Sequence, residues 1–221
     1  MRLLLDTANL DDVKRFAQND AIAGVTTNPS LVAREQRANY FSLLRSIADV
    51  LGPSPHLSVE VITLDPDIML KQADSLHELI PCAAIKVPVL PETLRVITRL
   101  HDMKIAVNAT ACFTALQAKI AEDAGADFVS FFFNRMIDAK SGQSNPREHA
   151  LAEISTYKHR FCRQAKVICG SIREPLDIQD CWANGADFVT ASAKVIDRAV
   201  THVKTTESVQ QFQKDIEAWL A

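Results

Sequence analysis

Lys86 stands inside the apolar run Ala83-Ala84-Ile85-Lys86-Val87-Pro88-Val89, a setting that a solvated lysine does not need. Burial disfavours the charged form of a lysine, and a neutral amine is the nucleophile that attacks a carbonyl to form a Schiff base. The plainer alternatives are an amine that reaches the rim of the core or a structural ion pair with Glu60. Other groups could serve such an amine. Asp6 can take and return a proton on a substrate hydroxyl, and Glu60 with Thr110 can hold a water that moves protons. The ordinary use of Asp6 would be to cap a helix. Thr26, Asn28, Asn108 and Ser130 add hydrogen-bonding side chains. Arg135, Ser171 and Arg173 make an anion-binding set, with Ser171-Ile172-Arg173-Glu174-Pro175 running into a helix start. Surface salt bridging is the ordinary use of the two arginines. The six histidines lack metal-ligand spacing and read as scattered, solvated side chains. The five cysteines are odd in number and contain no CxxC pair, which favours buried free thiols over a disulfide framework or a zinc site.

These residues need elements to hold them. Short apolar or β-branched runs predict eight strands, at Leu3–Leu5, Ile22–Thr26, Leu57–Ile62, Ala83–Val87, Lys104–Val107, Phe128–Phe132, Lys166–Cys169 and Phe188–Thr190. Helical spacing between them, for example over Tyr40–Leu51 and Ala115–Ala124, gives a βα alternation with strands apolar on both faces. The segment Ala124-Gly125-Ala126-Asp127-Phe128-Val129-Ser130 returns as Asn184-Gly185-Ala186-Asp187-Phe188-Val189-Thr190, and each copy should end a helix at glycine and start a buried strand. Eight βα units in 221 residues fit a single TIM barrel and leave no room for a second domain. The rival, a doubly wound open sheet, lacks a GxGxxG turn after the first strand. In a TIM barrel the functional groups sit at the C-terminal strand ends. Almost every strand delivers one of the polar residues named above, with Asn108 and Thr110 expected after the fifth strand and Arg135 on the loop after the sixth. Residues 208–220 carry an apolar stripe at Val209, Phe212, Ile216, Trp219 and Leu220. That helix must pack on its own barrel or on a neighbouring subunit.

Composition narrows the partners. A net charge of −3 lacks the basic excess that nucleic acid or anionic membranes favour. Hydrophobic content of 48% with 23% charged residues is that of a soluble globular chain. The start MRLLLD meets an acid at Asp6, too early for a secretory leader, so the expected location is the cytoplasm.

Leu5-Asp6-Thr7-Ala8-Asn9, Ala23-Gly24-Val25-Thr26-Thr27-Asn28-Pro29-Ser30-Leu31, Ile85-Lys86-Val87-Pro88 and Ser171-Ile172-Arg173 resemble the small transaldolase family, which includes the fructose-6-phosphate aldolases. The resemblance covers nearly the whole chain in order. It implies a TIM barrel with class I aldolase chemistry and no metal or organic cofactor, in a homo-oligomer such as a decamer whose C-terminal helices reach neighbouring subunits. It makes Lys86 the Schiff-base lysine, Asp6 the acid and base at the cleaved bond, and Glu60 with Thr110 the catalytic-water pair. Asn28 and Asn108 match residues that bind the dihydroxyacetone portion, and Ser130, Arg135 and Arg173 match positions near the far end of a sugar phosphate. Transaldolases resemble this chain in having glutamate at Glu60 and phenylalanine at Phe132, where the releasing aldolases typically have glutamine and tyrosine. The expected activity is therefore transfer of a dihydroxyacetone unit from a ketose phosphate such as fructose 6-phosphate to an aldose phosphate. The alternatives are release of free dihydroxyacetone, action on a sulfonated fructose, and a non-catalytic sugar-phosphate-binding barrel.

Overall fold

Eight parallel strands close into a barrel in sequence order, the last pairing with the first. In this computed structural model, which describes residues 1–220 except 19–20, 36–38, 54–55, 140–141, 143 and 163, they are β1 (Arg2–Asp6), β2 (Ile22–Thr26), β3 (His56–Glu60), β4 (Ala84–Pro88), β5 (Val107–Cys112), β6 (Phe128–Phe132), β7 (Lys166–Gly170) and β8 (Phe188–Ala191). The helices are α1 (Leu10–Ala17), α2 (Pro29–Val32), α3 (Tyr40–Leu51), α4 (Pro66–Leu79), α5 (Leu94–Asp102), α6 (Ala115–Asp123), α7 (Phe133–Ala139), α8 (Pro146–Thr156), α9 (Pro175–Ala183), α10 (Ala193–Ala199) and α11 (Val203–Leu220). This is a TIM barrel with an added C-terminal helix. No described helix is long and apolar enough to cross a membrane.

The fifth strand departs from expectation. It starts at Val107 and not at Lys104, because Lys104 adopts a left-handed turn with φ 63°. Asn108 and Thr110 therefore lie within β5 rather than after it. Arg135 stands in α7 and not on a loop. That helix, like α2 and α10, is too short for a periodic apolar signal to show in the sequence.

Outward-facing strand residues such as Val59, Ile85, Val107 and Val129 pack beneath the helices in one continuous core. A smaller cluster of Leu4, Ala23 and Ile168, with Phe128 and Phe188 against it, plugs the barrel interior. His56 joins this plug, 4.7 Å edge-on from the Phe128 ring and 5.8 Å in stacked geometry from Phe188, so it is not a solvated histidine. The thiols also divide: Cys112, Cys169 and Cys181 are buried, whereas Cys82 is exposed and Cys162 half-buried.

The internal repeat has one physical meaning in both copies. Gly125 and Gly185 have φ of 107° and 103°, a region that L side chains rarely adopt, and each leads the chain from helix to strand. Two residues on, the carboxylate of Asp127 accepts the backbone N–H of Val107, and that of Asp187 the N–H of Val167, both at 2.8 Å. Each aspartate thus ties the start of one strand to the start of the strand before it. The result is a rigid barrel base under the polar upper end.

Candidate active site

Lys86 is 4% exposed in the centre of β4. Its Nζ donates to the Thr27 carbonyl at 2.8 Å and lies 3.1 Å from Glu60 Oε2. Strand register explains this placement, since Glu60, Lys86 and Asn108 face one another across β3, β4 and β5. The ion pair considered as the plain alternative is therefore present, and it lies at the wall of a pocket that Asp6, Thr26, Asn28, Ser130 and Phe132 also line.

Asp6 ends β1 and accepts a hydrogen bond from Thr26 Oγ1 at 2.8 Å. Burial raises its carboxyl above the ordinary range, opposed by the positive charge of Lys86 and by the Thr26 hydrogen bond. It is not the cap of α1: Asn9 takes that task, accepting from the N–H groups of Asp11 and Asp12. Glu60 is held through its backbone carbonyl, which accepts the Tyr40 hydroxyl from α3. Burial beside Glu60 pushes that phenol well above its usual range. Among the described residues, Thr110 Oγ1 is buried without a hydrogen-bond partner, and Glu60 Oε2, also buried, has none besides Lys86 Nζ at 3.1 Å.

Asn28 spends its side-chain oxygen on capping α2, accepting Leu31 N–H at 3.0 Å, which leaves its amide N–H groups for the pocket. Asn108 is fully buried and joins β3 to β6, with Nδ2 donating to Ser58 Oγ at 3.0 Å and Oδ1 accepting from Ser130 Oγ at 2.7 Å. Thr190, unnoticed as a site residue in the sequence, lines the same pocket and lies 2.6 Å from Thr26 Oγ1. The signal was there: Thr190 occupies in the second repeat the place of Ser130 in the first.

The arginines are arranged less simply than their sequence positions suggested. Arg135 lies over the Phe132 ring, 4.8 Å from its centroid, and its charge is felt at Asp6. Arg173 is turned onto Asp138 of α7, with Nη1 donating to Oδ1 at 2.9 Å and Nη2 to Oδ2; this fork holds the Asp138 carboxyl below its usual range. Arg173 is thus engaged by a carboxylate, while Arg135 has no described ion-pair partner. The Ser171–Glu174 turn is fixed from below by Asp177, whose Oδ2 accepts the N–H groups of Arg173 and Glu174 at 2.9 Å and Asn134 Nδ2 at 2.7 Å. Ser171 itself has φ 60°, and its carbonyl accepts Asn134 Nδ2 at 2.9 Å. Sequence reading missed Asp177 and Asn134; only the acid three residues after Glu174 marked a helix start there.

A barrel with a buried lysine among carboxylates and hydroxyls at its C-terminal strand ends has the architecture of an enzyme acting on small molecules. Residues 3–221 match the family model described as Transaldolase/Fructose-6-phosphate aldolase, and the chain belongs to that family. A relative from Carboxydothermus hydrogenoformans named "Probable transaldolase" is 36% identical over 99% of both chains. One from Agathobacter rectalis with the same name is 33% identical over 99% of this chain and 98% of its own. Among solved structures, the barrel is similar to one described as "Native KDPGal structure", with a TM-score of 0.59, 18% identity and coverage of 97% of this chain and 95% of that one. It is also similar to a "3-Hexulose-6-Phosphate Synthase", with a TM-score of 0.62, 14% identity and coverage of 86% and 88%. At those identities the two structures speak for the fold alone.

Proposed function

We propose that this protein is a transaldolase that carries a dihydroxyacetone unit on Lys86 as a Schiff base. The observation that supports this reading most is the Lys86 amine, buried in the barrel wall 3.1 Å from Glu60 and opening on the pocket that Asp6 lines. In the proposed reaction the amine adds to the ketose carbonyl, and the carbinolamine loses water to give the imine. Glu60, whose Oε2 lies beside the amine, and Thr110, whose buried hydroxyl has no partner among the described residues, hold the water that relays protons in this step. Asp6 then takes the C4 hydroxyl proton as the C3–C4 bond breaks, the bonding electrons passing into the imine to give an enamine, and an aldehyde leaves. A raised carboxyl pKa suits a group that must accept that proton and return it. The acceptor aldehyde is attacked by the enamine, Asp6 protonates the new alkoxide, and water releases the product from Lys86.

Asn28 and Ser130 hold the hydroxyls of the donor, with Asn108 behind Ser130 as its hydrogen-bond partner. Arg135, Ser171 and Arg173 receive its terminal anion, a phosphate in this reading, with a sulfonate as the chemically similar alternative. Phe132 has no hydroxyl to direct water at the enamine, which favours transfer over release of free dihydroxyacetone. The protein works as a homo-oligomer: α11 has no buried residue and exposes Phe212, Ile216 and Trp219, which supports docking on a neighbour.

Borohydride added with fructose 6-phosphate should fix a substrate-derived mass on Lys86, located by peptide mass spectrometry. Lys86→Ala should lose adduct and turnover together. Labelling elsewhere, or no label in an active preparation, would remove the Schiff-base mechanism.

A further inference from the structure

A chain of four side chains runs from the apolar plug of the barrel to the pocket. His56 Nε2 lies 2.7 Å from Ser58 Oγ, Asn108 Nδ2 donates to Ser58 Oγ at 3.0 Å, and Ser130 Oγ donates to Asn108 Oδ1 at 2.7 Å. Ser58 and Asn108 are fully buried, whereas Ser130 lines the pocket. A serine hydroxyl has one proton to give. Ser58 Oγ accepts from Asn108, so its own proton goes to His56, which makes Nε2 an acceptor and leaves the ring proton on Nδ1. The opposite polarity needs the Asn108 amide turned over from its orientation in the structure. A proton on Nε2 would be donated to Ser58, Ser58 would donate to a turned-over Asn108 amide, and Asn108 would donate to Ser130. The two polarities differ in what the pocket meets: the lone pairs of Ser130 in the first, its proton in the second.

We propose that His56 is a positioning residue, which through its Nδ1–H tautomer orders this chain so that Ser130 presents acceptor lone pairs to a substrate hydroxyl. The inference rests on the reading of the site as one for a hydroxylated sugar. The neighbours of His56 agree with a neutral imidazole. Phe128 and Phe188 pack against the ring, and burial together with the charge of Lys86 pushes its pKa down to about 4. An ordered chain fixes both the Asn108 amide and the Ser130 rotor before substrate arrives, and such preorganisation raises affinity.

The tautomer can be read on the unmodified, substrate-free protein. In a long-range proton–nitrogen correlation spectrum of protein labelled at the histidine nitrogens, Nε2 couples to both ring carbon-bound protons. That nitrogen should carry the shift of an unprotonated ring nitrogen near neutral pH; an Nε2–H tautomer overturns the proposal whatever the enzyme does. His56→Phe keeps a ring against Phe128 and Phe188 but removes the acceptor, and Ser58→Ala cuts the chain one step later. Each should lower kcat/KM for donor cleavage about tenfold, the order of one net hydrogen bond, mainly through KM, with the Lys86 adduct retained. His56→Gln, which restores an acceptor, should recover part of the loss. In a Ser130→Ala background, His56→Phe should have no further effect. Equal losses in both backgrounds, or unchanged kinetics in folded His56→Phe and Ser58→Ala, would refute the positioning role. Absence of any borohydride adduct in the wild type would instead remove the Schiff-base reading, and the tautomer measurement does not depend on it.

Discussion

At the residue scale the site combines groups whose environments push them toward different tasks. Asp6 is raised by burial and Lys86 is paired to Glu60, while Phe132 closes one wall with no polar atom. Phe132→Tyr adds a hydroxyl where the enamine would stand, and such a donor should orient water and raise release of free dihydroxyacetone relative to transfer. Product analysis with and without an acceptor aldehyde checks this, and an unchanged ratio contradicts the role assigned to Phe132. Arg173 needs a different argument, because its guanidinium is engaged by Asp138. A substrate anion must share or displace that carboxylate. Arg173→Ala should therefore lower kcat/KM for a phosphorylated donor by about ten- to a hundredfold, and much less for the unphosphorylated sugar. Asp138→Asn should shift the phosphorylated donor the other way, toward lower KM. Equal losses of both donors in Arg173→Ala would make the arginine structural. Lys86 and Asp6 were legible in the sequence because a lysine in an apolar strand and an acid at a strand end are anomalies. The Asp138 pairing was not, because a fork between two exposed side chains on different elements leaves no trace in local spacing.

At the scale of elements, β2 and β6 have the bounds that their apolar runs predicted, whereas β5 is displaced. The reason is physical: the run Lys104-Ile105-Ala106-Val107 supplies apolar side chains, but Ile105 and Ala106 serve the turn that leaves α5, and the strand continues through polar residues that only the barrel interior can satisfy. Asn108, Thr110 and Ser130 face inward, where period and propensity do not distinguish a binding residue from a break in a strand. His56 was misread for a related reason, since a histidine at a strand start is buried only if the strands beside it bring up Phe128 and Phe188. Its burial has a consequence for stability. A histidine held neutral, with a folded pKa of about 4 against 6.5 ordinarily, binds fewer protons in the folded than in the unfolded state between those values. Stability from this group is complete above pH 6.5 and is lost as pH falls toward 4, by about 3 kcal/mol in all. Asp6 has the opposite sign: its raised folded pKa favours the folded state at low pH, and that contribution is lost as pH rises from 3.8 through the folded value. Chemical denaturation of the wild type and His56→Phe between pH 7 and 4 separates the two. The difference in slope between the proteins should show the histidine contribution, and parallel curves would mean that His56 is not buried neutral.

At the scale of the whole molecule, the barrel is self-sufficient and the last helix is not. Every strand pairs on both sides, so no sheet edge is left to associate with another chain. By contrast, α11 is an eighteen-residue helix with no buried residue, and its apolar stripe includes Phe212 at 67% and Trp219 at 79% exposure. An amphipathic helix in a protein takes most of its stability from packing its apolar face. The same chain exposes an apolar depression on the barrel, lined by Leu3, Leu176, Ile178, Trp182 and Val200, of the chemistry that such a stripe would cover. The stripe was legible from sequence, but its partner was not, because the depression is assembled from β1, α9 and the end of α10. If α11 docks on a neighbouring copy, the full chain should sediment as an oligomer, and Phe212→Glu with Trp219→Glu should shift it toward smaller species. The barrel should keep a cooperative unfolding transition in that variant, since none of the described core residues belongs to α11. A Trp182→Glu change in the depression should have the same effect on assembly if that surface receives the helix. A full-length protein that sediments as a monomer would refute the assembly role of α11, and dissociation by the α11 changes without any effect of Trp182→Glu would place the receiving surface elsewhere on the barrel.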